Sequence, residues 1–471
     1  MQTINLSIWD LSVFILYIIF LLYLGYRASN KTQYLKEDDY LLANRSLTLP
    51  AFVATLVTTW YGGILGIGEF TYLHGISTWF IFGLPYYFFA LLFAVIFAGK
   101  IRKRNLYTIP DVLYTVYGRK VGLFGSLILV IMTSPAPYIL MVGYLMQWVF
   151  GFPFIVSLIL GTLFSTIYIF FGGFRSIVKT DIFQFILMFL GFGVLLFFLF
   201  RNYGGWTFLH NTLDPSYFIW NGSLSWQYIL VWFFLASWTI IDPGFHQRCS
   251  AAVSPEKART GIFISICFWL IFDLLTVSSG LYAAALLKDI TPVMAYPTLG
   301  DIILPPVIKG LFFTGLFAII MSTIDSFSFL SAITIGRDIF RKGNNNEHTA
   351  GFTRAGLIIT AVLAVLLAWL FPSVIELWYI IGSLTIPPML LPLVTAYFKR
   401  FALTPQKTIL VMGISFMISF SAFVYGICNR SDGNIQYFLD MEPFFPGFLF
   451  SFGYYGLFNS LKFFRVYGRQ K

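Results

Sequence analysis

Thirteen apolar runs of about 20 residues follow one another along this chain, each long enough as a helix to cross roughly 30 Å of hydrocarbon. They lie near 8–24, 50–73, 78–99, 122–149, 153–171, 181–200, 226–247, 261–287, 305–338, 353–371, 374–398, 407–427 and 445–463. In lipid no water serves an unpaired N–H or C=O, so runs of this kind must close their hydrogen bonds internally. The expected fold is therefore all-α and integral to the membrane. With 58% of the 471 residues hydrophobic and only 11% charged, no stretch is left for a soluble domain.

Charge placement sets the orientation. The first run, Ile8 to Leu24, has no Lys or Arg before it and carries Arg27 and Lys31 on its far side, so it reads as a retained helix with its N-terminus outside. Alternating from there, only Arg201, Lys288, Lys309 and Arg430 of the 30 basic residues fall outside. The remainder cluster in the inside loops, around Arg27 to Arg45, Lys100 to Arg104, Arg337 to Arg354 and the tail after Lys462. This is the positive-inside pattern of a plasma membrane protein, a bacterial inner membrane being the expected setting, with Lys471 cytoplasmic. The net charge of +10 is accounted for by topology, and no nucleic-acid partner is expected. Three cysteines on different segments offer no disulfide, and His74, His210, His246 and His348 show no metal-ligand spacing.

Chemistry concentrates in the phrase AIIMSTIDSFSF, Ala318 to Phe329. Ser322, Thr323 and Ser326 recur at i, i+1 and i+4 beside Asp325, which puts several hard oxygens on one side of a buried helix. A sodium ion or a proton is the natural partner. Two further runs are interrupted: the second by Gly62, Gly63, Gly66 and Gly68, with Glu69 after them, and the seventh by Asp242, Pro243 and Gly244. Paired interruptions at corresponding places in two halves mark the binding site of transporters with inverted repeats. The glycines also suit close helix packing, and Asp242-Pro243-Gly244 also suits a turn at the membrane edge.

Several segments resemble the signatures of the sodium:solute symporter family: GGFRSIVKTDIFQ (172–184), DPGFHQRCSAA (242–252), and GLFAIIMSTIDS followed by GRDIF (315–340). DDYLLANRSL (38–47) and TIPDVLYTVYG (108–118) extend the similarity over most of the chain. The resemblance implies a LeuT-like fold in one transporter domain spanning 1–471. Its parts would be an extra N-terminal helix at 8–27, a first five-helix repeat at 48–200, an inverted second repeat at 226–398 and two closing helices at 407–463. It further implies a sodium site made from the carbonyls of Leu56, Thr59 and Ile319 with the hydroxyls of Ser322 and Thr323. Relatives more often have alanine at Ile319, and some have an acidic residue near Thr58.

A second cation, present in some members, would lie at Asp181 and Ser326, with Asp325 contributing a carboxylate. Asp181 alternatively caps its helix beside Thr180. By the same resemblance the solute pocket lies between the interrupted helices, at Trp60, Tyr61, Gly62 and Gly63 on one and Phe234, Ser237 and Trp238 on the other. Tyr138 and Glu69 are further candidates there, whereas Asp273 and Glu376 read as helix-end residues facing water. The expected function is sodium-coupled symport of a small organic solute by alternating access, with no enzymatic activity. A proton-coupled transporter on the same scaffold is the first alternative. A membrane solute sensor is the second, and apolar runs reaching almost to Lys471 leave it no signalling domain. Neither the solute nor the oligomeric state is written in the sequence.

Overall fold

Every apolar run is wound into helix in the computed structural model, which describes residues 4–29, 37–340, 349–431, 434–435, 437 and 441–467. In chain order the apolar helices are α1 (Ile8–Ser29), α2 (Leu49–His74), α3 (Trp79–Arg104), α4 (Arg119–Phe150), α5 (Phe154–Ile167), α6 (Gly172–Tyr203) and α7 (Trp226–Ala251). There follow α8 (Pro255–Leu286), α9 (Ile308–Phe340), α10 (Thr349–Leu370), α11 (Val374–Tyr397), α12 (Pro405–Cys428) and α13 (Phe444–Tyr467). Among the described residues eleven are long and apolar enough to cross a membrane, against the thirteen expected. The difference lies in α5, which is shorter, and α13. Lys31, Lys36, His348 and Lys471 lie outside the described residues.

The boundary expected between 171 and 181 falls near the start of that interval, and the second helix begins well before 181. Helical hydrogen bonding runs on from Phe154 to Tyr203, and the axis turns at Gly173, whose φ of 56° and ψ of −151° suit a residue without a Cβ. Asp181 therefore sits two turns inside a helix and is not the N-cap that its neighbour Thr180 suggested.

α9 is the axle of the molecule, with its most apolar stretch entirely buried. That burial explains how it can carry four hydroxyl or carboxyl residues in a row of turns, because none meets lipid. α1 is attached to its start by one side chain. Asp10 accepts from the backbone N–H groups of Val307 and Gly310, both at 2.8 Å, while its second oxygen accepts from Ser7. A carboxylate on the free N–H groups at a helix start is favourable both as hydrogen bond and as dipole partner.

At the basic-rich end, Arg337 gathers Glu37 (2.6 Å), Asp111 (3.0 Å) and Asp338 (2.6 Å), and so ties the short helix Glu37–Leu42 and the helix Ile109–Tyr117 to α9. The same end joins the two interrupted helices. Leu47, just before α2, makes a parallel bridge to the end of α7, through Leu47 N to Ala251 O (3.0 Å) and Val253 N to Leu47 O (3.2 Å).

Candidate ion and solute site

The two interruptions differ in construction. α2 keeps its direction and only tightens, passing from α-helix at Trp60 through one 3₁₀ turn at Tyr61–Gly63 back to α-helix at Ile64. The glycines there let other elements come close: a Cβ on Gly62 would run into the side chain of Thr323, and one on Gly63 into the ring of Trp378. α7 is interrupted twice, at Ala236–Ser237 and again at Asp242, where the backbone becomes extended before Pro243 restarts the helix. Asp242 caps that restart by accepting from Phe245 N at 3.0 Å. Asp242-Pro243-Gly244 is thus a buried helix break within the helix Trp226–Ala251.

Between α2, α6, α7 and α9 lies a cleft lined with oxygens. Thr323 Oγ1 donates to the carbonyl of Thr59 (2.8 Å) and stands 3.5 Å from that of Ile319. Ser322 Oγ donates to Asp181 Oδ1 (2.7 Å), and Thr55 donates to Oδ2 of the same carboxylate. Leu56 is buried one turn before Thr59 on the same helix. Thr58, where some relatives are acidic, spends its hydroxyl on the carbonyl of Ala54 (2.9 Å).

The residue that sequence reasoning passed over is Arg248. It is 0% exposed, and its Nη2 donates to Thr59 (2.6 Å), Ser326 (2.9 Å) and Thr55 (3.0 Å), 3.8 Å from Asp181. Asp181 and Ser326, expected around a second ion, thus face a guanidinium. Asp325, expected with them, is buried one turn beyond Met321, whose sulfur meets the hydroxyl of Tyr17 on α1. A signal existed in the QR pair of FHQRC, because an arginine inside an apolar span demands a buried partner.

Beside the cleft a cavity of about 120 Å³ opens between α2, α3, α4, α7, α8, α9 and α11. Trp60, Tyr61, Gly63, Tyr138 and Trp238 line it as the sequence suggested, together with Leu56 and Thr59 from the cleft. Four of the suggested residues do not. Gly62 packs on Thr323, Phe234 packs on Phe448 of α13, the buried Ser237 hydroxyl has no hydrogen-bond partner among the described residues, and Glu69 is half-buried beyond Ile67, the last of α2 at the cavity. Tyr86, Tyr87, Trp232, Phe245 and Trp378 complete the walls, and nothing in the sequence separated these rings from the other aromatics, a fifth of the chain. Asp273 is not a water-facing helix-end residue. It lines the cavity and accepts from Tyr61 (2.5 Å) and Tyr87. Glu376 sits in the first turn of α11 after its cap, Ser373.

A bundle of membrane helices with a pair of interrupted members around a cavity is a LeuT-like fold, and solved structures agree. A Na⁺-coupled sialic acid symporter superposes with a TM-score of 0.80 at 16% identity, over 96% of this chain and 98% of that one. Mhp1, a nucleobase-cation-symport-1 family transporter, gives 0.57 at 11% identity, over 88% and 92%. At these identities the likeness shows the fold alone. The sequence shows the family: the profile of the sodium:solute symporter family matches residues 40–404, and the chain belongs to it. Similar proteins include the high-affinity choline transporter 1 of Drosophila melanogaster, 25% identical over 92% of this chain and 72% of the relative. The sodium/pantothenate symporter of Haemophilus influenzae is 27% identical over 72% and 74%. The sodium/proline symporter of Staphylococcus aureus is 24% identical over 76% and 74%. The chain is an integral multi-pass membrane protein of a family that points to sodium-coupled symport.

Proposed function

We propose that this protein couples downhill sodium entry to the uptake of a small organic solute, with the ion in the oxygen-lined cleft and the solute in the aromatic cavity. The observation that carries this reading is the double use of α2. The carbonyl of Thr59 meets Thr323 in the cleft, while Thr59 and Leu56 also line the cavity. An ion that drew Leu56, Thr59, Ile319, Ser322 and Thr323 together would fix the α2 turn against α9 and so shape the cavity wall. A solute packed on Trp60 would favour the same placement of α2. Mutual dependence of this kind is a coupling free energy and works in both directions.

A single sodium ion suffices energetically. One charge crossing about 100 mV gains roughly 2.3 kcal/mol, and a tenfold concentration ratio adds about 1.4 kcal/mol. Asp181 and Ser326 already face a cation belonging to the chain, so in this reading Arg248 supplies the positive charge that a second ion would bring. The basic-residue distribution supports an outside N-terminus, testable by reaction of a cysteine at Asn5 with an impermeant thiol reagent on intact cells. The deciding experiment is uptake of amino acids, carboxylates, vitamins and choline by proteoliposomes at a clamped membrane potential. Accumulation that needs an inward sodium gradient is expected. Accumulation driven by a proton gradient in sodium-free buffer would assign the proton as coupling ion.

A further inference from the structure

The cavity walls constrain the chemistry of the solute. Trp60, Tyr86, Tyr138, Trp232, Trp238 and Trp378 enclose it from five different helices, and a volume of about 120 Å³ is close to that of the ~150 Å³ cavities that admit a benzene-sized guest. Ring faces carry the negative lobe of the aromatic quadrupole and attract a cation lying within about 6 Å of a centroid. Such walls suit a compact cation or an apolar group, because the indole N–H and phenol O–H donors they carry sit at ring edges and not on the faces.

The charged residues select between those two. Asp242 and Asp273 both line the cavity and are buried. Each has both carboxylate oxygens engaged by the protein: Asp242 by Phe245 N (3.0 Å) and Trp238 Nε1 (3.2 Å), Asp273 by Tyr61 (2.5 Å) and Tyr87. They therefore act on a guest through their charge more than as free hydrogen-bond acceptors. Arg248, the one cationic residue in the wall among the described residues, has Asp181 beside it, three hydroxyls on Nη2 and the carbonyl of Gly244 on Nη1 (3.3 Å), and its Nε–H has no partner among those residues. Once Asp181 and Arg248 are set against each other, the cavity retains two carboxylates. The same sign continues outward, because Trp232 packs on Tyr379, whose hydroxyl meets Glu442.

We propose that the cavity takes a quaternary ammonium solute without a carboxylate group, its methylated head caged by the six rings and neutralised from behind by Asp242 and Asp273. This names the substrate class of the transporter reading above and rests on it. A methylated head has no N–H to satisfy, which fits acceptors that are already spoken for. An anion would face two like charges, and the carboxylate of a zwitterion would lie against the same two charges, beside a guanidinium already paired with Asp181 and ring-edge donors such as Trp232 Nε1–H.

The test separates binding from flux. Equilibrium binding of labelled choline to the purified full chain is measured in sodium buffer, with tetramethylammonium, proline and pantothenate as competitors. Choline binding displaced by tetramethylammonium and left by proline and pantothenate is the expected result. Asp273→Asn and Trp378→Leu should each weaken choline binding by roughly tenfold, and Trp378→Phe should restore most of it. Failure of choline to bind, or stronger displacement by proline or pantothenate, overturns the inference. If choline binds yet no solute accumulates in proteoliposomes under a sodium gradient, the site assignment stands and the symport reading fails. Sodium-driven uptake of proline or pantothenate that choline does not inhibit does the reverse.

Discussion

The proposed ion cleft and the proposed solute cavity lie side by side, share α2 and Arg248, and are made of opposite materials. The cleft is a set of short oxygen-bearing side chains, of which Thr55, Thr59, Ser322 and Ser326 lie within hydrogen-bond distance of one carboxylate or one guanidinium and Thr323 meets the carbonyl of Thr59. The cavity is a set of large rings with carboxylates placed behind them. A small hard ion has to be held by several oxygens at once, so its site must be narrow and fully buried. A larger guest is held by area and diffuse charge, which tolerates a wider space. The two adjacent glycines divide along the same line, Gly62 giving room to Thr323 and Gly63 to Trp378.

The largest effect is expected at the point where the two regions meet. Arg248→Ala leaves Asp181 buried without its cation, and breaking a buried pair from one side costs about 3–5 kcal/mol. Thermal unfolding in detergent should show a large loss, and adding Asp181→Asn in the same chain should recover part of it. A nearly unchanged melting temperature for Arg248→Ala would mean that the guanidinium is not integral to the cleft.

A smaller effect should split the two regions. Gly62→Ala pushes on Thr323 and should weaken sodium binding by roughly tenfold, about 1.4 kcal/mol. Gly63→Ala pushes on Trp378 and should weaken solute binding by a similar factor while sodium affinity changes little. Equal damage to both ligands from both variants would erase the distinction between cleft and cavity. The smallest effect is expected at Ser237, whose buried hydroxyl has no hydrogen-bond partner among the described residues. Ser237→Ala should leave stability within about 0.5 kcal/mol of the parent, and sodium and solute affinities unaltered.

The contrast also explains what could be read from the sequence. Ser322, Thr323 and Asp325 stand out because oxygen-bearing residues are expensive in an apolar run, so their presence alone is a signal. The membrane class and the two interrupted helices were legible for the same reason, since Gly and Asp-Pro-Gly are out of place inside a span. Trp232, Trp378, Tyr86 and Tyr87 are ordinary members of a chain containing 12 Trp and 27 Tyr, and only the packing of α3, α7 and α11 brings them to one cavity. Asp273 was misplaced because nothing in its own helix shows that Tyr61 and Tyr87, from α2 and α3, supply its hydrogen bonds. Asp181 was open to a capping role because the turn at Gly173 is a matter of backbone dihedrals, and the helix begins earlier than its charges suggest.

The central claim is that sodium binds between α2 and α9 through the carbonyl of Thr59 and the hydroxyls of Ser322 and Thr323. Binding of radioactive sodium to the purified full chain, with no solute present, tests it directly. The account predicts saturable binding in the parent chain that Thr323→Ala and Ser322→Ala each weaken by roughly tenfold or more, and that Thr323→Ser, which keeps the hydroxyl, largely retains. Sodium binding of equal affinity in Thr323→Ala, Ser322→Ala and the parent would contradict it.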